Sequence, residues 1–329
     1  MMSSMKLKGW LAGTVAVLAA ASVTAAGAQE KALDPGYRVP DPNNTVVIDT
    51  TKGRIVVELY PVMAPNHVER LLTLTRQHFY DGIIFHRVIE DFMDQTGDPK
   101  GDGTGGSTLP NVKAEFTMRH DSSFPMTVAS HPAGALIGFV GALPVESQVD
   151  ELAAMTKDGK TQAWGLYCQG VIGMARDSDP DSANSQFFLM RAPNSSLEKS
   201  YTAFGAVVSG LDVVKKIKIG SPAVNPDKMT SVQVLADMPE ATRPHIEVMD
   251  TASPQFQTVI DDTRKKMGAD FSACDVIVPS KDLDAPTVAS TDTSTPASTA
   301  PSTYAAPPPV SADPAAANLP GAVGNNVGY

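Results

Sequence analysis

From Val46 onward the apolar positions fall in short alternating runs more often than at helical spacing. Val46-Val47-Ile48 and Ile55-Val56-Val57-Glu58-Leu59 flank Thr51-Lys52-Gly53, a hairpin signal with a glycine in a short loop. Pro65 suits the first turn of a helix running to about Phe79, on which Val68, Leu71, Leu72 and Phe79 form one apolar stripe. Asp81-Gly82 ends it. Alternation through Ile83, Phe85, Arg87 and Ile89 then predicts a strand, a turn at Glu90-Asp91, and a second strand carrying Phe92 to Gln95. Residues 171–175, 186–190, 202–208 and 232–237 read as strands and 211–219 as a short helix, which makes eight strands with the first four.

The ends read differently. Lys6 and Lys8 precede an apolar run from Trp10 to Ala21, and Ala26-Gly27-Ala28 offers a small-x-small cleavage site before Gln29. This is the pattern of a secretory signal peptide over residues 1–28, with a run too short for a membrane anchor. The expectation is an exported protein of the bacterial periplasm, with no stable membrane insertion once the signal is removed. Residues 29–44, with Pro35, Pro40 and Pro42, read as a linker. Ser253-Pro254 is an N-cap and first-turn pair; Phe256, Val259, Ile260 and Met267 follow at helical spacing, Gly268 suits the C-cap, and a strand is expected over 275–278. Residues 280–329 are mostly Ala, Pro, Ser and Thr, a composition expected to stay disordered and to act as a tether.

A net charge of −10 excludes a nucleic-acid partner, since phosphate binding needs clustered cations, and Lys215, Lys216 and Lys218 read as a solvated helix face. The two cysteines, Cys168 and Cys274, permit one disulfide in an oxidising compartment, and two buried thiols are the alternative. No metal-ligand spacing occurs, and no cofactor is expected. Gly101 to Gly106 contains G-x-G-x-x-G but leads into Ser107-Thr108-Leu109-Pro110 instead of a helix, so a dinucleotide site is rejected. The run Asp177-Ser178-Asp179-Pro180-Asp181 opens like a calcium loop, but Ser182 stands where glycine is needed and Phe188 where the bidentate Glu belongs.

The strongest signal is Phe85-His86-Arg87 followed by Phe92-Met93-Asp94-Gln95-Thr96-Gly97-Asp98. With Gly170-Val171-Ile172-Gly173-Met174-Ala175-Arg176, Asn184-Ser185-Gln186-Phe187-Phe188 and Phe204-Gly205, it resembles the cyclophilins, the peptidyl-prolyl cis-trans isomerases, over about Val46 to Ala236. The resemblance implies a mainly β fold: a closed, eight-stranded antiparallel β-barrel capped by two helices, occupying residues 45–239. Against it, residues 117–168 are a large loop insertion, with a helical piece at 149–155, and residues 240–279 a small α/β C-terminal extension. Both additions lie outside the compact family core, and Cys168 and Cys274 are expected to pair because a disulfide would hold them against the barrel.

The resemblance also implies the site. Arg87 is the expected catalytic residue, because an always-charged guanidinium with rigid donors can stabilise a twisted prolyl amide. Phe92, Met93, Phe188 and Leu197 would wall the proline ring, Gln95 would bond a substrate carbonyl, and Ala175, Arg176, Gln186 and Tyr201 would line the peptide groove. Read without the resemblance, Phe92, Met93 and Phe188 are barrel core and Arg87 an ion pair with Glu90 or Asp91. His86 alternates away from Arg87 and reads as structural. Ser196 replaces a frequent family aromatic, and Tyr201 a frequent histidine. The expected partners are proline-containing unfolded or flexible polypeptides; the alternative is a periplasmic chaperone or scaffold whose isomerase activity is incidental.

Overall fold

The computed structural model describes residues 33–284. In chain order the strands and helices are β1 (Tyr37–Arg38), β2 (Thr45–Thr50), β3 (Gly53–Leu59), α1 (Pro65–Arg76), β4 (Arg87–Ile89) and β5 (Met93–Thr96). Next come β6 (Met118–His120), β7 (Thr127–Ser130), β8 (Ala135–Val140), β9 (Leu143–Gln148) and β10 (Thr161–Gly165). The chain continues through β11 (Val171–Met174), β12 (Phe187–Met190), β13 (Ala203–Ser209), α2 (Leu211–Lys216) and β14 (Met229–Val234). It ends in β15 (Ile246–Met249), α3 (Pro254–Met267) and β16 (Ser280–Asp282). The expected signal peptide lies outside the described residues, as does the tail expected to be disordered over 280–329 except for its start, where Ser280–Asp282 is ordered as β16 because it pairs with β15.

Eight strands form one curled antiparallel sheet, in the order β14-β2-β3-β13-β11-β12-β5-β4. The expected closure is only partial. Between the edge strands the contact is made by isolated bridges, Ile84 with Lys228 and Val88 with Gly220, and by hydrogen bonds such as Phe85 N to Asp227 O at 2.9 Å. Pro222 and Pro226 lie in the crossing segment, and their missing N–H groups deny it a continuous ladder. Alternation sends Ile55, Val57, Phe187 and Leu189 to the inner core, where Val68, Leu71 and Leu72 of α1 and Val213 and Val214 of α2 plug the barrel ends.

The outer face is buried too. Residues expected to form a loop insertion instead build a five-stranded antiparallel sheet, β6-β10-β9-β8-β7, and residues 150–155 make a 3-10 turn, not an α-helix. Gly141, at φ 54, turns the β8-β9 hairpin, and Phe139, Val145 and Trp164 point into a core shared with Met93, Phe188 and Leu197 of the barrel. From the C-terminal extension, α3 adds Phe256, edge-on to Phe139 at 5.2 Å between centroids. The stretch read as a linker also contributes: β1 pairs with β15, and the strand expected at 275–278 is found instead at Ser280–Asp282, giving the sheet β1-β15-β16. Register explains the shift, since β15 offers Ile246, Glu247 and Val248 to Asp282, Lys281 and Ser280. Cys168 and Cys274 are joined by a disulfide, with their Cα atoms 4.9 Å apart.

One buried polar cluster ties three of these parts together. Arg38 donates two hydrogen bonds to Glu58, at 2.6 and 2.7 Å; Tyr60 Oη donates to Glu58 Oε2 at 2.7 Å and accepts from Ala142 N at 2.5 Å. Glu58 and Tyr60 are 4% and 8% exposed, so neither can turn to water. Tyr60→Phe should therefore strand the Ala142 N–H and leave Glu58 Oε2 with its Arg38 bond alone, lowering stability by about 1–3 kcal/mol. Chemical denaturation checks this, and an unchanged midpoint would show the cluster to be dispensable.

Candidate active site

Cross-strand register assembles the site. In the antiparallel pairs Arg87 lies opposite Gln95, Gln95 opposite Phe188, and Phe188 opposite Gly173. Residues directly opposite share a face, so these positions form one row across β4, β5, β12 and β11 on the outer side of the barrel. Met93, two residues before Gln95, joins them on that face. Phe187 points the other way and meets Tyr80 edge-on in the inner core, with centroids 5.4 Å apart.

A chain of side-chain amides holds the polar half of the row. Arg87 Nη1 donates to Gln95 Oε1 at 3.4 Å, Gln95 Nε2 donates to Gln186 Oε1 at 2.9 Å, and Gln186 Nε2 donates to the carbonyls of Gly103 and Gly105 at 2.9 and 2.8 Å. The alternative of an ion pair with Glu90 or Asp91 is not realised among the described residues; Arg87 is half-buried, and desolvation lowers its pKa. His86 is 4% exposed with neither ring nitrogen hydrogen-bonded among the described residues, and burial lowers its pKa, which suits a neutral structural residue.

The glycine-rich loop rejected as a dinucleotide site proves to be a wall of this one. It wraps the buried Asp98 carboxylate, which accepts from the N–H groups of Lys100, Asp102 and Gly103. A Cβ at Gly105 would fall 1.9 Å from Asp98 Oδ1, so a side chain there would break the wrap. Between this loop and β11-β12 runs a groove of about 650 Å³, lined by Gln95, Ala175, Arg176 and Gln186 among others. Arg176 is committed within it: Nε donates to Ser200 O at 2.9 Å, Nη1 to Asp177 O at 2.7 Å, and its guanidinium carbon sits 4.5 Å from the Tyr201 ring centroid.

The apolar half is enclosed. Met93, Phe188 and Leu197 are each 0% exposed, while Phe92 is half-exposed at their edge. Phe188 has Tyr167 stacked against it, centroids 5.8 Å apart, and Tyr201 edge-on at 6.1 Å. Leu197 ends a 3-10 turn capped by Asn194, and Ser196 Oγ spends its hydrogen bond on Asn194 Oδ1 at 2.6 Å. The structure thus gathers the expected residues around β4, β5, β11 and β12. It adds Tyr167 and the Gly103 and Gly105 carbonyls, which alternation alone does not reveal.

Residues 45–235 match the family model of the cyclophilin-type peptidyl-prolyl cis-trans isomerases. The chain belongs to this family. A probable peptidyl-prolyl cis-trans isomerase of Brucella suis is 35% identical over 213 residues, which cover 60% of this chain and 85% of that protein. An isomerase of Schizosaccharomyces pombe is 33% identical over 172 residues, covering 52% of this chain and 83% of its own. The crystal structure of a cyclophilin from Hirschia baltica superposes with a TM-score of 0.69 at 36% identity, covering 74% of this chain and 92% of that one.

In this cyclophilin the turn bearing Leu197 leans on the inserted sheet through charged residues. Lys199 Nζ lies 3.5 Å from the Trp164 ring centroid, and Glu198 is pushed up to about 7 by burial and then by Glu146. A raised carboxyl favours the folded state while protonated. That contribution is complete below the ordinary Glu value and is lost as pH rises toward about 7. Glu198→Gln should thus raise the melting temperature more at pH 8 than at pH 5. An equal shift at both would refute the burial of this carboxyl.

Proposed function

We propose that the chain accelerates cis–trans isomerisation of Xaa-Pro bonds in flexible polypeptides, with Arg87 as the catalytic residue. The observation that carries this reading is the row in which a half-buried guanidinium, held by an amide and paired with no carboxylate among the described residues, adjoins the apolar cluster at Phe188. The imide barrier of roughly 18–20 kcal/mol reflects resonance between the nitrogen lone pair and the carbonyl. No bond to another group forms or breaks. In the twisted amide the lone pair returns to nitrogen, and a cationic donor aimed there stabilises that geometry over the planar one.

A charge-assisted hydrogen bond contributes about 1.5–3 kcal/mol, or roughly one to two powers of ten in rate. The remainder falls to preorganisation: Gln95 and Gln186 orient the substrate backbone, and Phe92, Met93, Phe188 and Leu197 hold the ring in a dry pocket. Tyr201 links fully buried Phe188 to groove-lining Arg176, so the apolar cluster adjoins the groove at that ring. Ala175 and Arg176 line the path of the flanking residues.

We place this activity in the folding of exported proteins. The signal-like N-terminus and the Cys168–Cys274 disulfide support that setting, since disulfides persist in oxidising compartments. The chaperone or scaffold reading predicts suppression of aggregation that survives loss of Arg87. Arg87→Ala should lower kcat/KM on a short Xaa-Pro peptide at least about tenfold, the worth of one charge-assisted bond, with little change in melting temperature. Equal activity in variant and wild type would sink the catalytic assignment.

A further inference from the structure

One residue outside the set that the family resemblance assigns is tied to two walls of the apolar pocket, by its ring to one and by its main chain to the other. Tyr167 closes the insertion, is 1% exposed, and stacks on Phe188 with an interplanar angle of 26°. Its carbonyl accepts a hydrogen bond from Asn194 N at 2.9 Å. Asn194 in turn caps the turn that ends in Leu197, accepting from Ser196 N on its side chain at 3.0 Å and from Leu197 N on its carbonyl at 3.4 Å. The ring of one residue therefore backs Phe188, while its main chain anchors Leu197.

The barrel leaves room for this ring at Gly173. A Cβ at Gly173, directly opposite Phe188 in the ladder, would lie 2.6 Å from Phe188 Cζ and 2.7 Å from Tyr167 Cε1. Any larger residue would have to push the stacked rings away. From the other side, Cys168 follows Tyr167 immediately and is bonded to Cys274, so the main chain at this point is clamped to the C-terminal extension. The phenol oxygen is buried and has no hydrogen-bond partner among the described residues, so the contact rests on the ring.

We propose that Tyr167 is a positioning residue for proline binding: clamped by the Cys168–Cys274 bond, it sets the placement of Phe188 and Leu197. Affinity for the proline ring then depends on segments outside the barrel. The inference rests on the isomerase reading above. Its test is the steady-state kinetics of full-length, oxidised Tyr167→Ala, Tyr167→Phe and Gly173→Ala on an Xaa-Pro peptide, each beside its melting curve. Loss of one aromatic stack corresponds to about a three- to tenfold change. Tyr167→Ala and Gly173→Ala should raise KM by that factor while kcat moves less than about twofold. Tyr167→Phe should keep the wild-type KM, because it keeps the ring. Wild-type protein treated with a thiol reductant should show the same rise in KM.

A merely structural tyrosine would lower the melting temperature and leave KM alone. A folded Tyr167→Ala with wild-type KM overturns the proposal, as does a Tyr167→Phe as impaired as the alanine variant. Should Tyr167→Ala not fold, an unchanged KM in Gly173→Ala or in the reduced wild type overturns it. Failure of the isomerase reading shows separately, as no acceleration of Xaa-Pro isomerisation by the wild-type protein.

Discussion

Strand register is the constraint on which everything else in this protein depends. Arg87, Gln95, Phe188 and Gly173 meet because four antiparallel strands are paired in one alignment. A slip of one residue in β12 would exchange Phe188 for Phe187, bringing an inner-core ring to the outer face and emptying the barrel. The inner core therefore enforces the geometry of the outer site. The same packing that stabilises the barrel aims the guanidinium.

Sheets of this kind can leave one face to water, but here both are covered. The inserted sheet, the C-terminal extension and the short N-terminal strand supply the second layer, and their apolar residues merge with the pocket residues into one cluster. The pocket is thus not a dent in a finished barrel. It lies where the barrel and the added layer meet, so its walls come from both.

On the face of the pocket strands turned away from that layer lies a buried ion pair. Asp94, beneath the pocket strand, is fully buried and pushed up to about 7 by desolvation, with Arg191 at 2.9 Å opposing the shift. Arg191 also donates to the carbonyls of Val214, Lys215 and Ile217 at the end of α2, so one guanidinium joins β5, β12 and that helix terminus. Removing either partner of such a pair leaves a buried charge uncompensated, which is more damaging than the pair is stabilising.

Much of this was legible in the chain itself. Alternation located the eight barrel strands, because strands half-facing an apolar core must place apolar residues at every second position. It also put Arg87 and Gln95 on the face opposite to His86 and Asp94, and the ordered motifs named the family. The inserted sheet escaped because its pairings are distant and its strands are interrupted: Met118 pairs with Ala163, while Gly138 and Pro144 break the apolar pattern of the hairpin between them. The strand at Tyr37–Arg38 escaped for the same reason, since its partner Met249 lies at the other end of the described chain. Enclosure of Phe188 and the double contact of Tyr167 were decided by tertiary structure alone. Which residue covers a given face depends on where remote segments dock, and local periodicity carries no record of that.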